Sequence, residues 1–341
     1  MFGYFPKRFA LRLIFLLLCA GVALLSAQTK RSVTDLSGRT VSIPSSVTRV
    51  AANGALAQMV LMLGGEDRLV ATGSFVTRNP MLVKIYPGVR SVPAIFGPPG
   101  EKTSVNLELL MKARPDVVLG QDESIEALGI PTVAVSLLDF DDIRKTISLI
   151  GEVLGGDAQK RATAFCNYYD STIQYMSSRT AAIPESKRPK VFYASGDDAL
   201  STEGTKSISD SWIRAAGGVN VAAKGGVEAH RNVSLEEIMR WDPDVIIANS
   251  FRGFEKIKST PAWAPLRAVR NHRVYLAPKG VYLWPVRSAE GVLQIPWTAV
   301  LLHPSLFKSV NIRVVTRNFY KRFYGYALSD AETDRILHPT E

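Results

Sequence analysis

The chain has 341 residues, 46% of them hydrophobic, with 41 lysines and arginines against 31 acids and a formal charge of +10. The positive balance favours anionic partners in general, but no Lys/Arg run carries interleaved aromatics, which argues against nucleic acid. Two cysteines, Cys19 and Cys166, leave no internal disulfide once the first is removed with the leader described next, so the fold must rest on its core.

The chain opens with Lys7, Arg8 and Arg12, an apolar run from Leu13 to Leu25, and Ser26-Ala27-Gln28. A charged start, an apolar centre and small residues at its end predict a cleavable signal peptide over 1–27, and the apolar run is short for a membrane span. Cys19 invites a lipoprotein reading, but a lipid-attachment cysteine wants a small residue before it and Leu18 is large. Removing 1–27 takes three positive and no negative charges from +10, leaving +7 on an exported, soluble chain in the periplasm.

Residues 33–50 read as an edge hairpin turning at Ser37-Gly38. Val47 to Ala52 reads as the first core strand, and Ala55 to Leu63 as a helix closed by Gly64-Gly65. Leu69 to Thr72 is the next strand, followed by an irregular stretch to Pro80. Residues 93–104 read as a loop containing a Gly97-Pro98-Pro99-Gly100 turn, whose prolines remove the N–H donors a phosphate cradle needs.

Residues 106–120 and 234–248 are then the same stretch written twice, at a constant offset of 128. Leu107, Glu108, Met111, Pro115, Asp116 and Val117 meet Leu235, Glu236, Met239, Pro243, Asp244 and Val245. Asn106 and Ser234 are good N-caps, and each Glu sits in a first turn where the helix dipole favours negative charge. Leu107, Leu110 and Met111 share a helical face, as do Leu235, Ile238 and Met239. Proline stops each helix, and the apolar run after it has the signature of a strand buried on both faces. Each copy is therefore a helix–turn–strand unit of a parallel α/β sheet.

Between the copies, Thr132 to Val135 ends the first lobe, assigned to residues 33–139. Linker helices follow over 140–185: Ile143, Ile147, Ile150 and Leu154 keep helical spacing up to Gly155-Gly156. A second run without Gly or Pro then extends from Asp157 to Ile183, about 40 Å if wholly helical. The second lobe, 189–341, has strands at Val191 to Ala194 and Val274 to Leu276, a helix from Ile208 to Ala216, a loop from Asn220 to Arg231, and a tail helical over Thr316 to Tyr324 and packed on the outside. The fold class is thus α/β: two Rossmann-like lobes with mainly parallel sheets, one long connecting helix, and a cleft between them.

Ligands of open α/β sheets sit beyond the carboxyl ends of the strands. The loops there carry Asn53, Arg78 and Phe96 in the first lobe and His230, Arg231, Arg252, Tyr282, Trp284 and Arg287 in the second. Tyr282 and Trp284 offer flat apolar faces, and Arg287 a fork for paired oxygens. The competing reading buries Trp284 in the core and pairs Arg287 within its lobe. His230 lies in a cleft loop and is either a ligand contact or an ordinary loop residue. His272 reads as a turn residue, and His303 and His338 as surface residues. No His-x-x-x-His, paired cysteine or nucleophile motif appears, so neither a protein-held metal, a resident cofactor nor catalysis has support.

The segment Asp35 to Val41, Pro44, Arg49-Val50, the helix 158–183, both repeat copies and Ala289 to Pro304 together resemble the substrate-binding proteins of ABC importers for iron–siderophore, haem and cobalamin. The resemblance implies two α/β lobes, a rigid linking helix, capture of a metal chelate in the cleft, and delivery to an inner-membrane permease with its ATPase. It also implies that Glu108 and Glu236 form salt bridges to permease arginines, one per lobe; simple dipole compensation is the alternative. No Tyr/His pair for direct haem or iron ligation is evident, which suits a pre-chelated metal. The expectation is a monomeric carrier of an iron(III)-siderophore, with cobalamin, haem or molybdate as alternatives and a chelatase-like enzyme as a remoter one.

Overall fold

The computed structural model describes residues 29–97 and 104–340. The expected signal peptide with Cys19, and Pro98 to Gly100 of the expected turn, lie outside the described residues. The hairpin forms from β1 (Lys30–Thr34) and β2 (Thr40–Pro44), paired antiparallel. Its turn is organised by the buried Asp35, which accepts the N–H groups of Ser37 and Arg39 and the Arg39 guanidinium at 2.8 Å.

The first sheet contains β3 (Val50–Ala51), β4 (Leu69–Gly73), β5 (Ala94–Phe96), β6 (Val117–Leu119) and β7 (Thr132–Val133). Their order is β5-β4-β3-β6-β7, and all pairs are parallel. β5 falls where the sequence reads as a loop; three residues are too few to show a period. In the second half come β8 (Lys190–Ala194), β9 (Ser201–Glu203), β10 (Val219–Asn220), β11 (His230–Asn232), β12 (Val245–Ala248) and β13 (Val274–Leu276). The second sheet runs β10-β8-β12-β13, again all parallel, and β9 and β11 form a separate antiparallel ribbon. The expected loop 220–231 thus holds part of a strand, and a short helix Val221–Lys224 precedes it.

The twin stretches fold alike. Helix Leu107–Ala113 leads into β6 and helix Leu235–Trp241 into β12. Asn106 caps the first through the Leu109 N–H, and Ser234 caps the second through that of Glu237, whose carboxylate returns to the Ser234 N–H. Each helix ends on a left-handed residue, Arg114 at φ 42° and Asp242 at φ 41°, 128 positions apart. The next acid then does the same work in both lobes. Asp116 accepts the N–H groups of Thr48 and Arg49, and Asp244 that of Lys190, so each Pro-Asp pair latches its strand to the first strand of its sheet. The copies differ at Met111: it is 50% exposed, whereas Met239 packs against the second lobe's core. Of the expected face, Leu107 and Leu110 reach the core and Met111 does not.

Helix Phe140–Leu154 turns back through Gly155 and Gly156, both with positive φ, into helix Asp157–Thr180. Its 24 residues span about 36 Å. One apolar cluster is continuous across the molecule: Val50, Met59 and Val117, then Phe165 and Tyr169 of the long helix, then Val191, Trp212 and Val245. The tail belongs to it rather than to the outside. Helix Ile312–Phe319 runs into a π-helical turn, Tyr320–Tyr324, in which Tyr320, Phe323 and Tyr324 are buried, with Phe323 edge-on to Phe165 at 5.1 Å. Aromatic side chains gain too much from burial to remain on the surface when the long helix offers them a partner.

Candidate functional site

The segment after β4 in the first lobe meets the loop after β13 in the second. Asn79, the cap of helix Pro80–Ile85, donates through Nδ2 to the carbonyl of Val281 at 2.8 Å. Phe75, 40% exposed, meets Tyr282 edge-on at 5.0 Å between ring centroids. Trp212 Nε1 donates to the carbonyl of Pro285 at 3.2 Å, so the loop 279–287 is held at both ends by other elements.

The structure divides the expected ligand contacts. Arg287 is half-exposed, and its Nη2 lies 3.2 Å from Oε1 of Glu203, which is 7% exposed at the end of β9. Glu203 faces His230 directly across the β9–β11 ribbon, and opposed residues of an antiparallel pair share a face. Arg287 and Glu203 thus form an ion pair on the ribbon face from which the exposed His230 also emerges. Tyr193 lies beside it: Asn249 donates to its hydroxyl at 2.9 Å and to Ser195 Oγ at 3.2 Å, and burial pushes its pKa up. Glu203 Oε2 is buried without a hydrogen-bond partner, while among the described residues only one nitrogen of Arg287 is engaged, leaving most of its five N–H donors for a guest. Arg78 caps helix Ser74–Thr77, is exposed, and has no ion-pair partner among the described residues.

Four expectations need correction. Trp284 is fully buried, with its Nε1 lacking a partner, so the indole is core and offers no face to a ligand. Phe96 is 9% exposed and packs with Ile95, Leu110, Val118 and Ile125. Arg231 points with Thr202 to the other face of the ribbon and donates to Glu237 at 2.6 Å, which ties it to the second twin helix. His303 is half-buried against the Gly217 carbonyl, at 3.0 Å, and burial lowers its pKa. Asn53 stands at the cleft's edge with both polar atoms used, Oδ1 accepting from the Gly54 N–H and Nδ2 donating to the Gly97 carbonyl. Arg252 pairs with Asp197 at 3.3 Å on an exposed rim. Glu108 and Glu236 are both exposed in the first turns of their helices, and hydrogen bonding to its own backbone N–H and to Ser234 lowers the pKa of Glu236.

Sequence reasoning missed Phe75, Asn79 and Glu203. The first two stand in a stretch without period, and Ser201-Thr202-Glu203 is too short and polar to read as a strand. Among the described residues no group of three or more His, Cys, Asp or Glu side chains could hold a metal ion, and no helix is long and apolar enough to cross a membrane.

Residues 50–281 match the family model described as periplasmic binding protein. The molybdate-binding protein MolA of Haemophilus influenzae is 27% identical over 337 residues, covering 88% of this chain and 92% of that protein. An ABC transporter substrate-binding lipoprotein of Bacillus subtilis, YvrC, is 26% identical, covering 60% and 67%. A periplasmic solute binding protein from Veillonella parvula has the same fold at a TM-score of 0.79 and 30% identity, covering 91% and 97%. These relatives are binding and transport proteins, and their periplasmic and lipoprotein descriptions imply export. With its two parallel-sheet lobes and the cleft between them, the chain belongs to the periplasmic binding protein family and is a substrate-binding protein of an ABC importer.

Proposed function

We propose that the cleft captures a compact, anionic, oxygen-rich metal species, with molybdate the first candidate. Arg287 carries this reading: a half-exposed guanidinium at the strand tips, oriented by a carboxylate beneath it, with free N–H donors in the fork geometry that suits paired oxygens. Arg78 supplies an unpaired positive charge from the first lobe. Two acids near the strand tips already have cationic partners, Asp197 in Arg252 and Glu228 in Lys206. The ring contact of Phe75 with Tyr282 favours a small guest, because a bulky one must part it. MolA, whose alignment covers 88% of this chain at 27% identity, is a molybdate-binding protein.

The iron(III)-siderophore expected from the sequence is the second reading. The aromatic pair Phe75 and Tyr282 favours it, since a catecholate chelate would stack on such rings once they part. In the same reading Glu108 and Glu236 meet the permease, residues 28–341 form the mature chain, and it acts as a monomer. Thermal unfolding of residues 28–341 against molybdate, tungstate, sulfate, ferric siderophores, haem and cobalamin tests the assignment. Stabilisation by molybdate and tungstate alone is expected. A response only to a siderophore selects the second reading, and silence across the panel rejects both.

A further inference from the structure

The loop that presents Tyr282 is strapped at one buried point. Glu290 is 0% exposed at the start of helix Gly291–Leu302. The Val281 N–H lies 3.2 Å from its Oε1 and 2.9 Å from the Tyr320 hydroxyl, and the Tyr282 N–H lies 3.0 Å from its Oε2. Tyr320 and Tyr324, from the π-helical turn, are buried beside the carboxylate and hold its pKa down against the effect of burial. Tyr324 in turn accepts from Nε2 of Gln58 at 2.7 Å, which brings in the first lobe's helix Gly54–Met62. Gly280 is needed here, because a Cβ would lie 2.1 Å from the Tyr320 hydroxyl and 2.6 Å from Glu290 Oε2.

The two loop amides favour an ionised carboxylate at Glu290, because each of its oxygens accepts one of them. Two backbone N–H groups converge on it, and a carboxylate is an acceptor at both oxygens. The Tyr320 and Tyr324 hydroxyls accept an N–H each, from Val281 and from Gln58. Protonation places an O–H on one of the two oxygens that receive these amides and removes the charge that strengthens both bonds, so the hold on the loop loosens. The loop contributes backbone amides, the 320–324 turn contributes phenols, and helix Gly54–Met62 contributes the Gln58 amide.

We infer that Glu290 is a positioning residue of the cargo site, its carboxylate clasping the backbone of Val281 and Tyr282 so that the Tyr282 ring stays edge-on to Phe75. The inference rests on the reading that Tyr282 lines that site. Burial raises the Glu290 pKa from 4.5 to about 7, despite the hydrogen bonds that lower it, so the clasp titrates near neutrality. Linkage gives global stability the opposite sign. The folded state binds the extra proton between pH 4.5 and about 7, so this group's contribution to stability falls as the pH rises through that window, while the grip on the loop tightens.

Amide hydrogen exchange on residues 28–341 tests this at about pH 6 and about pH 8, corrected for intrinsic rates, with Glu290→Gln alongside and molybdate as the binding probe. Releasing one hydrogen bond corresponds to about a two- to tenfold loss of protection at Val281 and Tyr282 at the lower pH, with β8 unchanged. Glu290→Gln is expected to show the low value at both pH values and weaker molybdate binding at the higher one. Wild-type protection at Val281 and Tyr282 that does not change with pH overturns the inference, even if the variant fails to fold. Protection that titrates while molybdate binds at neither pH retains the clasp and rejects the cargo reading instead.

Discussion

Replacing Arg287 with Met removes the guanidinium while keeping much of its apolar stem, and two effects follow. The guest loses hydrogen bonds to a charged donor, each worth about 1.5–3 kcal/mol, so two such bonds amount to about 3–6 kcal/mol, discounted because Arg287 is half-exposed. A loss of about 2 kcal/mol or more, roughly thirtyfold in affinity, is the conservative expectation. Glu203 is also left buried with neither oxygen paired. Breaking a fully buried pair costs about 3–5 kcal/mol, and the exposure of Arg287 brings this nearer 1–2 kcal/mol. The double variant Glu203→Gln, Arg287→Met separates the two: it recovers most of the stability and none of the affinity. Titration calorimetry with molybdate and thermal unfolding read both. Molybdate binding within about twofold of wild type in the single variant refutes the role given to Arg287.

Other consequences are quickly checked. Trp284→Ala is expected to cost about 3–5 kcal/mol in chemical denaturation, as for a buried aromatic, with any loss of binding following from unfolding; a stable variant with specifically weakened binding restores Trp284 to the site. Glu108→Lys with Glu236→Lys is expected to abolish uptake while cargo binding is retained, and normal uptake returns these residues to dipole compensation. Lys84 and Glu332 tie the first lobe to the last helix, and Lys84 with the Ser329 N–H holds the Glu332 carboxyl at about 2. A depressed carboxyl stabilises above its unfolded value of 4.5, so stability is lost as pH falls from there toward about 2; Glu332→Gln flattens that limb, and an unchanged acid limb contradicts the assignment.

The repeated stretch made the architecture legible before any coordinates, because each signal in it is local. A cap, a helix face, a proline and an apolar run act within fifteen residues, and the structure adds that Asp116 and Asp244 latch equivalent strands. The site was only partly legible, because its chemistry is made by contacts between segments far apart in sequence. Arg287 depends on Glu203, 84 positions earlier, and Tyr282 on Phe75 from the other lobe. Trp284 shows the opposite failure. An aromatic beside Tyr282 in a loop has the same local signature whether it faces solvent or core, and only the packing around the 279–287 loop decides. Glu290 reads as an ordinary acid near a helix start until Tyr320 and Tyr324, which the sequence places outside, turn out to close over it.

A structure of residues 28–341 crystallised with molybdate bears most directly on the account. It predicts one oxyanion between the two sets of strand tips, within hydrogen-bond distance of the Arg287 guanidinium, with Phe75 and Tyr282 closed beside it. An anion bound elsewhere, with Arg287 still engaged only by Glu203, contradicts it.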